Sequence, residues 1–169
     1  MLAAREGRTE AVLVLCESGK ADICRRDGRG RDAVMYASAR GHDTIVQILL
    51  THAPPPSTLS SYPNPSPPIR NLQDPDNAAR ALLAQSDEDG NTALHFAASY
   101  GHLAVLRTLL AAGADSERRN CWSWRAVSYS ATVAAEVYFK GLVGEVEGWR
   151  EKGREEGKGG IRVVESGEI

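Results

Sequence analysis

Cysteine is scarce in this chain, long apolar runs are missing, and neither sign of charge dominates. The three cysteines in 169 residues, Cys16, Cys24 and Cys121, form no Cys-x-x-Cys pair and no Cys/His metal spacing. An odd number without such spacing argues against a disulfide framework or a metal site. The expectation is free thiols in a reducing compartment, cytoplasm or nucleus. No apolar run approaches the roughly 18 residues needed to cross a bilayer, and the first residues carry no signal-peptide pattern. A net charge of -2 leaves no footprint for nucleic acid, although Arg25, Arg26, Arg29 and Arg31 cluster locally. Neither a Gly-rich phosphate loop nor a nucleophile–base motif occurs, so the expectation is a non-enzyme with no cofactor and no metal.

What the chain does have is an internal repeat. The segment GNTALHFAASYGHLAVLRTLLAAGAD starts at Gly90, and GRDAVMYASARGHDTIVQILLTHA starts at Gly30. A third copy, LAAREGRTEAVLVLCESGKAD, puts Gly7 in the position of Gly41 and Gly101. Counting from these glycines, offsets +4, +5, +8 and +9 are apolar each time: Ala11, Val12, Leu15, Cys16; Ile45, Val46, Leu49, Leu50; and Val105, Leu106, Leu109, Leu110. That stripe is one buried face of an amphipathic helix. The segment before each glycine is rich in small residues, as in Ala97-Ala98, and predicts a short helix that neighbours approach closely. Asp32 and Thr92 stand where an N-cap is wanted.

A helix–turn–helix plus loop of about 33 residues, carrying G-x-T-x-L-H-x-A-A-x-x-G-H, resembles the ankyrin repeat. The resemblance implies an all-α solenoid of three to four helix–turn–helix units. It makes Thr92, Leu94, His95, Gly101 and Gly41 structural residues of the repeat. His95 then belongs to the Thr-x-Leu-His motif and is no catalytic base. In the copy from Asp87 to Asp115, Ala93 stands where proline is usual. In the second copy Asp32, Ala33, Val34 and Met35 replace the usual Thr-Pro-Leu-His.

Shifting the best copy by 33 residues places Val127 at Leu94, Tyr129 at Phe96, and Tyr138, Phe139, Leu142 and Val143 at the apolar offsets. A degenerate fourth unit is therefore expected. Trp122 and Trp124 then flank the tip of the preceding loop, where small polar residues and Gly are the family norm. Two readings stand: the indoles fold over the third unit and seal it, or they project as anchors beside Arg118, Arg119 and Arg125. The string W-S-W…Y-S-x-T-V-x-A-E-x-Y-F-K-x-L, from Trp122 to Leu142, is also similar to the Avo-two-type ankyrin subunits of the fungal target-of-rapamycin complex two. That resemblance implies a peripheral, non-catalytic subunit recruited to the plasma membrane.

Units 1 and 2 are expected over 1–53, the first truncated because Met1 aligns with His95. Units 3 and 4 are expected over 87–146. Between them lies 54–86, read as a Pro-rich disordered insert: seven of the eight prolines fall between Pro54 and Pro68, and Asp76 to Ala84 fits a short helix. Within the insert, Pro65, Pro68 and Arg70 have the spacing of an SH3-type ligand, and Ser66-Pro67 that of a proline-directed phosphorylation site. The Gly-rich, charged stretch 147–169 is expected to be disordered. The function implied is protein–protein binding, with a truncated gene product or a generic ankyrin adaptor as alternatives. Trp122, Trp124, Arg118, Arg119, Arg125, Asp87, Asp89 and Arg29 are the candidate contact residues, the acidic pair lying on a solvated tip.

Overall fold

A computed structural model describes residues 1–19, 21–53 and 75–158, and the side chains of all of these except 75–77, 147 and 149–158. The proline-rich candidates Pro65, Ser66, Pro68 and Arg70 lie outside the described residues, as does the side chain of Trp149.

The repeat frame folds as paired helices. The first unit has α1 (Leu2–Arg5) and α2 (Thr9–Glu17), the second α3 (Ala33–Arg40) and α4 (Asp43–Thr51). After α5 (Pro75–Leu83) come α6 (Ala93–Ser99) and α7 (Leu103–Ala111). The fourth unit has a single 3₁₀ turn (Ala126–Tyr129) in place of a first helix, then α8 (Val133–Lys158). First helices stack in an inner row, α1 on α3 on α6 on the 3₁₀ turn, and α2, α4, α7 and α8 stack in an outer row. The architecture is all-α, with one isolated β-bridge among the described residues.

Capping sets where the inner helices begin. Asp32 Oδ1 accepts from Met35 N at 2.8 Å to start α3. Thr92 and His95 form a capping box on α6. Between the rows, the apolar offsets of units 2 and 3 supply the core: Ile45, Val46, Leu49, Val105, Leu106 and Leu109 are all buried. Each contributes on the order of 1.5–3 kcal/mol by leaving water. Unit 1 differs, because among the described residues no element lies beyond α2. Leu15 is 47% exposed where its equivalents Leu49 and Leu109 are 3% and 0%. In unit 4, Phe139 and Leu142 are buried as the frame requires, whereas Tyr138 faces solvent.

Units are also joined at the helix–helix turns. The ring of His102 lies over Gly41, so close that a Cβ there would sit 2.7 Å from Nδ1. His42 covers Gly7 in the same manner. Their Nε2 atoms reach back to the carbonyls of Ala39 (3.2 Å) and Arg5 (3.3 Å). These histidines therefore bridge neighbouring units.

Three expectations need correction, the first only in part. The short helix expected at Asp76 to Ala84 forms, as α5, but it packs on α4 with Ala81, Leu82, Leu83, Gln85 and Ser86 buried, so the described end of 54–86 is ordered. The reason is an amphipathic pattern, Ala78, Ala81 and Leu82, that gives α5 one apolar face. Unit 3 stacks directly on unit 2, with α5 against α4. The second correction concerns the tail, where α8 runs on to Lys158, past the boundary placed at 146. Glu, Lys and Arg are good helix formers and offset the glycines of this stretch. The third is that unit 4 lacks a full first helix. Its backbone turns extended at Ser130 (φ −53°, ψ 122°), directly after Tyr129.

Candidate protein-binding surface

Each connection between units narrows to a five-residue finger, at 27–31, 87–91 and 120–124. The base of each is closed by a backbone bond from its first residue to the carbonyl of its last: Asp27 to Arg31 (3.0 Å), Asp87 to Asn91 (2.9 Å) and Asn120 to Trp124 (3.0 Å). The first side chain then ties the tip. Asp27 Oδ1 accepts from Arg29 N and Arg31 N, Asp87 Oδ1 from Asp89 N and Asn91 N, and Asn120 Oδ1 from Trp122 N and Trp124 N, all at 2.8–3.1 Å. Asp and Asn are favoured here because their short side chains reach a backbone N–H two residues on.

The tip needs left-handed backbone, supplied by Gly30 (φ +74°), Gly90 (φ +78°) and Ser123 (φ +60°). Gly30 and Gly90 have a second reason to lack a side chain. The next finger's backbone lies against each, with Glu88 N 3.3 Å and Cys121 N 3.0 Å from where a Cβ would be. At these contacts the fingers bond to each other: Glu88 N donates to Arg29 O (3.1 Å) and Cys121 N to Asp89 O (2.9 Å).

A tyrosine on the inner row pins the first and third fingers to their own units. Tyr36 donates its hydroxyl to Asp27 Oδ2, and Asn120 Nδ2 donates to the hydroxyl of Tyr129 at 2.6 Å. Unit 3 has Phe96 there, without a hydroxyl. Asp87 Oδ2 instead faces Arg31 Nε at 3.7 Å, an ion pair too long for a hydrogen bond, and the Arg31 guanidinium lies 5.1 Å over the Phe96 ring. His95 links unit 3 onward. Its Nδ1 accepts from Thr92 N (3.2 Å) and lies 2.9 Å from the Thr92 hydroxyl, which leaves Nε2–H to donate to Trp124 O at 3.1 Å. Burial holds the His95 pKa below its usual value, against the opposing pull of the Trp124 carbonyl and Asp87. The ring is thus a neutral strut.

The expected contact residues divide into two groups. Trp122 and Trp124, 55% and 54% exposed, stand on the third finger with Arg118, Arg119 and Arg125. Arg29 and Asp89 are exposed on the first and second fingers. Asp87 must be corrected: expected on a solvated acidic tip, it is 3% exposed. Its carboxylate is consumed by the finger backbone and Arg31, so it has a structural role. The sealing role assigned to the indoles needs the same treatment. What closes the third unit is the 3₁₀ turn and α8, through Ala126 and Phe139, both fully buried. Trp124 only leans on Tyr129, ring centroids 5.4 Å apart.

Sequence reasoning passed over Tyr36, Phe96 and Tyr129 as lining of the inner surface. The signal was present: each follows the first residue of its finger by nine positions. Among the described residues no group of three His, Cys, Asp or Glu is placed to hold a metal, and no helix is long and apolar enough to cross a membrane. Burial, with Asp22 and Asp32 nearby, pushes the Cys24 thiol up to about 12, so it is inert at neutral pH.

Comparison with known proteins agrees with this geometry. The family model "Ankyrin repeats (3 copies)" matches residues 1–59, and "Ankyrin repeat" matches 89–121, together more than half of the chain. A transient receptor potential cation channel subfamily A member 1 homolog of Caenorhabditis elegans is 29% identical over 125 residues, 70% of this chain and 10% of that protein. The B-cell lymphoma 3 protein homolog of Mus musculus is 31% identical over 121 residues, 71% of this chain and 21% of that protein. The chain thus spans between a tenth and about a fifth of the length of these relatives. The crystal structure of the ankyrin repeat domain of Bcl-3 superposes with a TM-score of 0.53 at 25% identity, covering 75% of this chain and 44% of that one.

Proposed function

Because the chain belongs to the ankyrin-repeat family, we propose that it is a non-catalytic protein-binding module that holds its partner at the third finger. The observation that carries this reading is the exposed pair Trp122 and Trp124, more than half open to solvent beside Arg118, Arg119 and Arg125. A buried core gains nothing from indoles left in water, whereas an interface gains most from Trp and Arg. Arg29 and Asp89 on the neighbouring tips extend the surface, and Asp87 takes no part.

A finer proposal identifies the partner as a target-of-rapamycin kinase complex at the plasma membrane. It rests only on the string from Trp122 to Leu142, and a generic ankyrin adaptor fits equally. An SH3-type contact through Pro65, Pro68 and Arg70 is likewise a proposal from spacing alone.

The test is affinity purification from source cells with wild type and Trp122→Ala/Trp124→Ala, with mass spectrometry of what co-elutes. Loss of one reproducible partner set in the variant, at equal abundance and helicity, supports the finger as the docking site. Equal recovery by both proteins refutes it. Kinase-complex subunits in the wild-type eluate would support the finer reading, and their absence would leave the adaptor.

A further inference from the structure

Among the described residues the stack of fingers has an open edge, and its register says what fits there. Each finger offers the carbonyl of its third residue to a backbone N–H of the next. Arg29 O is taken by Glu88 N at 3.1 Å, and Asp89 O by Cys121 N at 2.9 Å. Trp122 holds the same place in the third finger, and its carbonyl has no partner among the described residues. The next position in this ladder is therefore an extended backbone carrying an N–H.

The surroundings of that carbonyl select the side chains of the occupant. Both indoles stand on this finger, more than half exposed. Three arginines stand beside it. Arg125 is already balanced by Glu117 at 3.0 Å, and Arg119 donates to the Ser123 carbonyl. No carboxylate pairs with Arg118 or Arg119 among the described residues. The edge thus carries uncompensated positive charge next to apolar rings.

Ser123 decides between a further finger and a free strand. At Gly30 and Gly90 the next finger presses to within 3.0–3.3 Å of the missing Cβ. Ser123 has a Cβ in that position, so another finger held at the solenoid spacing would be pushed away. A strand that is not part of the array can settle a few tenths of an ångström further out and keep the hydrogen bond.

We propose that the third finger binds an extended acidic peptide segment of a partner protein, which adds as a strand to the Trp122 carbonyl, with its carboxylates on Arg118 and Arg119 and its apolar residues on the indoles. This inference rests on the third finger being the binding surface proposed above.

The experiment uses the full chain and an alternating glutamate–valine decapeptide, blocked at both ends and labelled for fluorescence anisotropy. Two further peptides carry N-methyl groups on all glutamates or on all valines, which removes the N–H donors of one strand edge without changing charge. The expected result is that the unmodified peptide binds, one N-methylated form binds at least about fivefold more weakly, and the other is unaffected. Arg118→Ala/Arg119→Ala should weaken binding, and the ¹³C carbonyl resonance of Trp122 should move on titration while those of Arg29 and Asp89 stay.

Equal binding of both N-methylated forms, or an unmoved Trp122 carbonyl, overturns the proposal. A concentration-dependent dimer in sedimentation that the peptide does not compete with would assign the edge to a second copy of the chain and also overturn it. If no peptide binds while partner recovery still needs Trp122 and Trp124, strand addition falls and the docking role of the finger stands. If partner recovery is also independent of the indoles, both fall.

Discussion

Replacing Asp32 by asparagine should stabilise the fold at neutral pH and have little effect near pH 4. The carboxyl group of Asp32 is buried, and that burial pushes its pKa from the ordinary 3.8 up to about 6, against the bond from Met35 N and the positive charge of Arg26. Cys24, also buried nearby, adds no charge to offset it. The sign follows from which state holds the proton. A carboxyl raised in the folded state favours folding fully below about pH 3.8, and that contribution is lost as pH rises through about 6. The rise is worth about 3 kcal/mol. Asparagine keeps an oxygen for Met35 N and is as good an N-cap, and the bonding that favours the charged form is already contained in the raised pKa. The net expectation is a gain of about 2–3 kcal/mol at pH 7, shrinking to about 0.5 kcal/mol at pH 4. Urea unfolding followed by circular dichroism at several pH values measures it. The difference between wild type and variant isolates Asp32, since every other titrating group is common to both. A difference that is flat with pH, or an Asp32→Asn variant less stable than wild type at pH 7, would refute the reasoning.

Asp87→Ala should cost about 2–3 kcal/mol in the same unfolding assay, because it leaves Asp89 N and Asn91 N without their acceptor and Arg31 without its ion-pair partner; Asp89→Ala, two residues on and exposed, should stay within about 0.5 kcal/mol. Gly41→Ala should cost more than about 2 kcal/mol, since φ is +77° and the new methyl lands 2.7 Å from the His102 ring. Pairing it with His102→Ala in a double-mutant cycle should recover part of that loss, and strict additivity would argue against the contact. His95, its pKa lowered by burial, contributes stability that is present above the usual histidine pKa of about 6.5 and lost as pH falls below it. His95→Gln should flatten that part of the pH–stability curve.

Much of this molecule was legible one residue at a time. The positions of Gly7, Gly41 and Gly101, the apolar offsets after them, and Asp32 and Thr92 before the inner helices all carry local instructions: a left-handed turn, an amphipathic stripe, an N-cap. Local instructions survive folding because the backbone obeys them whatever lies nearby. For the same reason Phe139 and Leu142 were found on the buried side of a unit whose first helix had shrunk to one turn.

The candidate surface was less legible. Asp87 and Asp89 look alike in sequence, yet the first closes a turn beneath Arg31 and the second faces water. In sequence the indoles fit sealing the third unit, the favoured reading, as well as standing clear of it. In the structure they stand more than half exposed while Phe139 and Ala126 are fully buried. The helical run to Lys158 and the packing of α5 on α4 were hidden by glycine and proline content, since composition reports average tendency and says nothing about a neighbouring surface.

By itself, then, the sequence determined the repeat frame, the helices within it and which face of each is apolar, because periodicity and capping act within a few residues. The tertiary structure decided what covers each face, which carboxylates are consumed by the fingers, and that among the described residues the Trp122 carbonyl at the last finger has no partner. Those outcomes depend on units stacking across intervals of 33 and 60 residues, and no local pattern records which partner arrives.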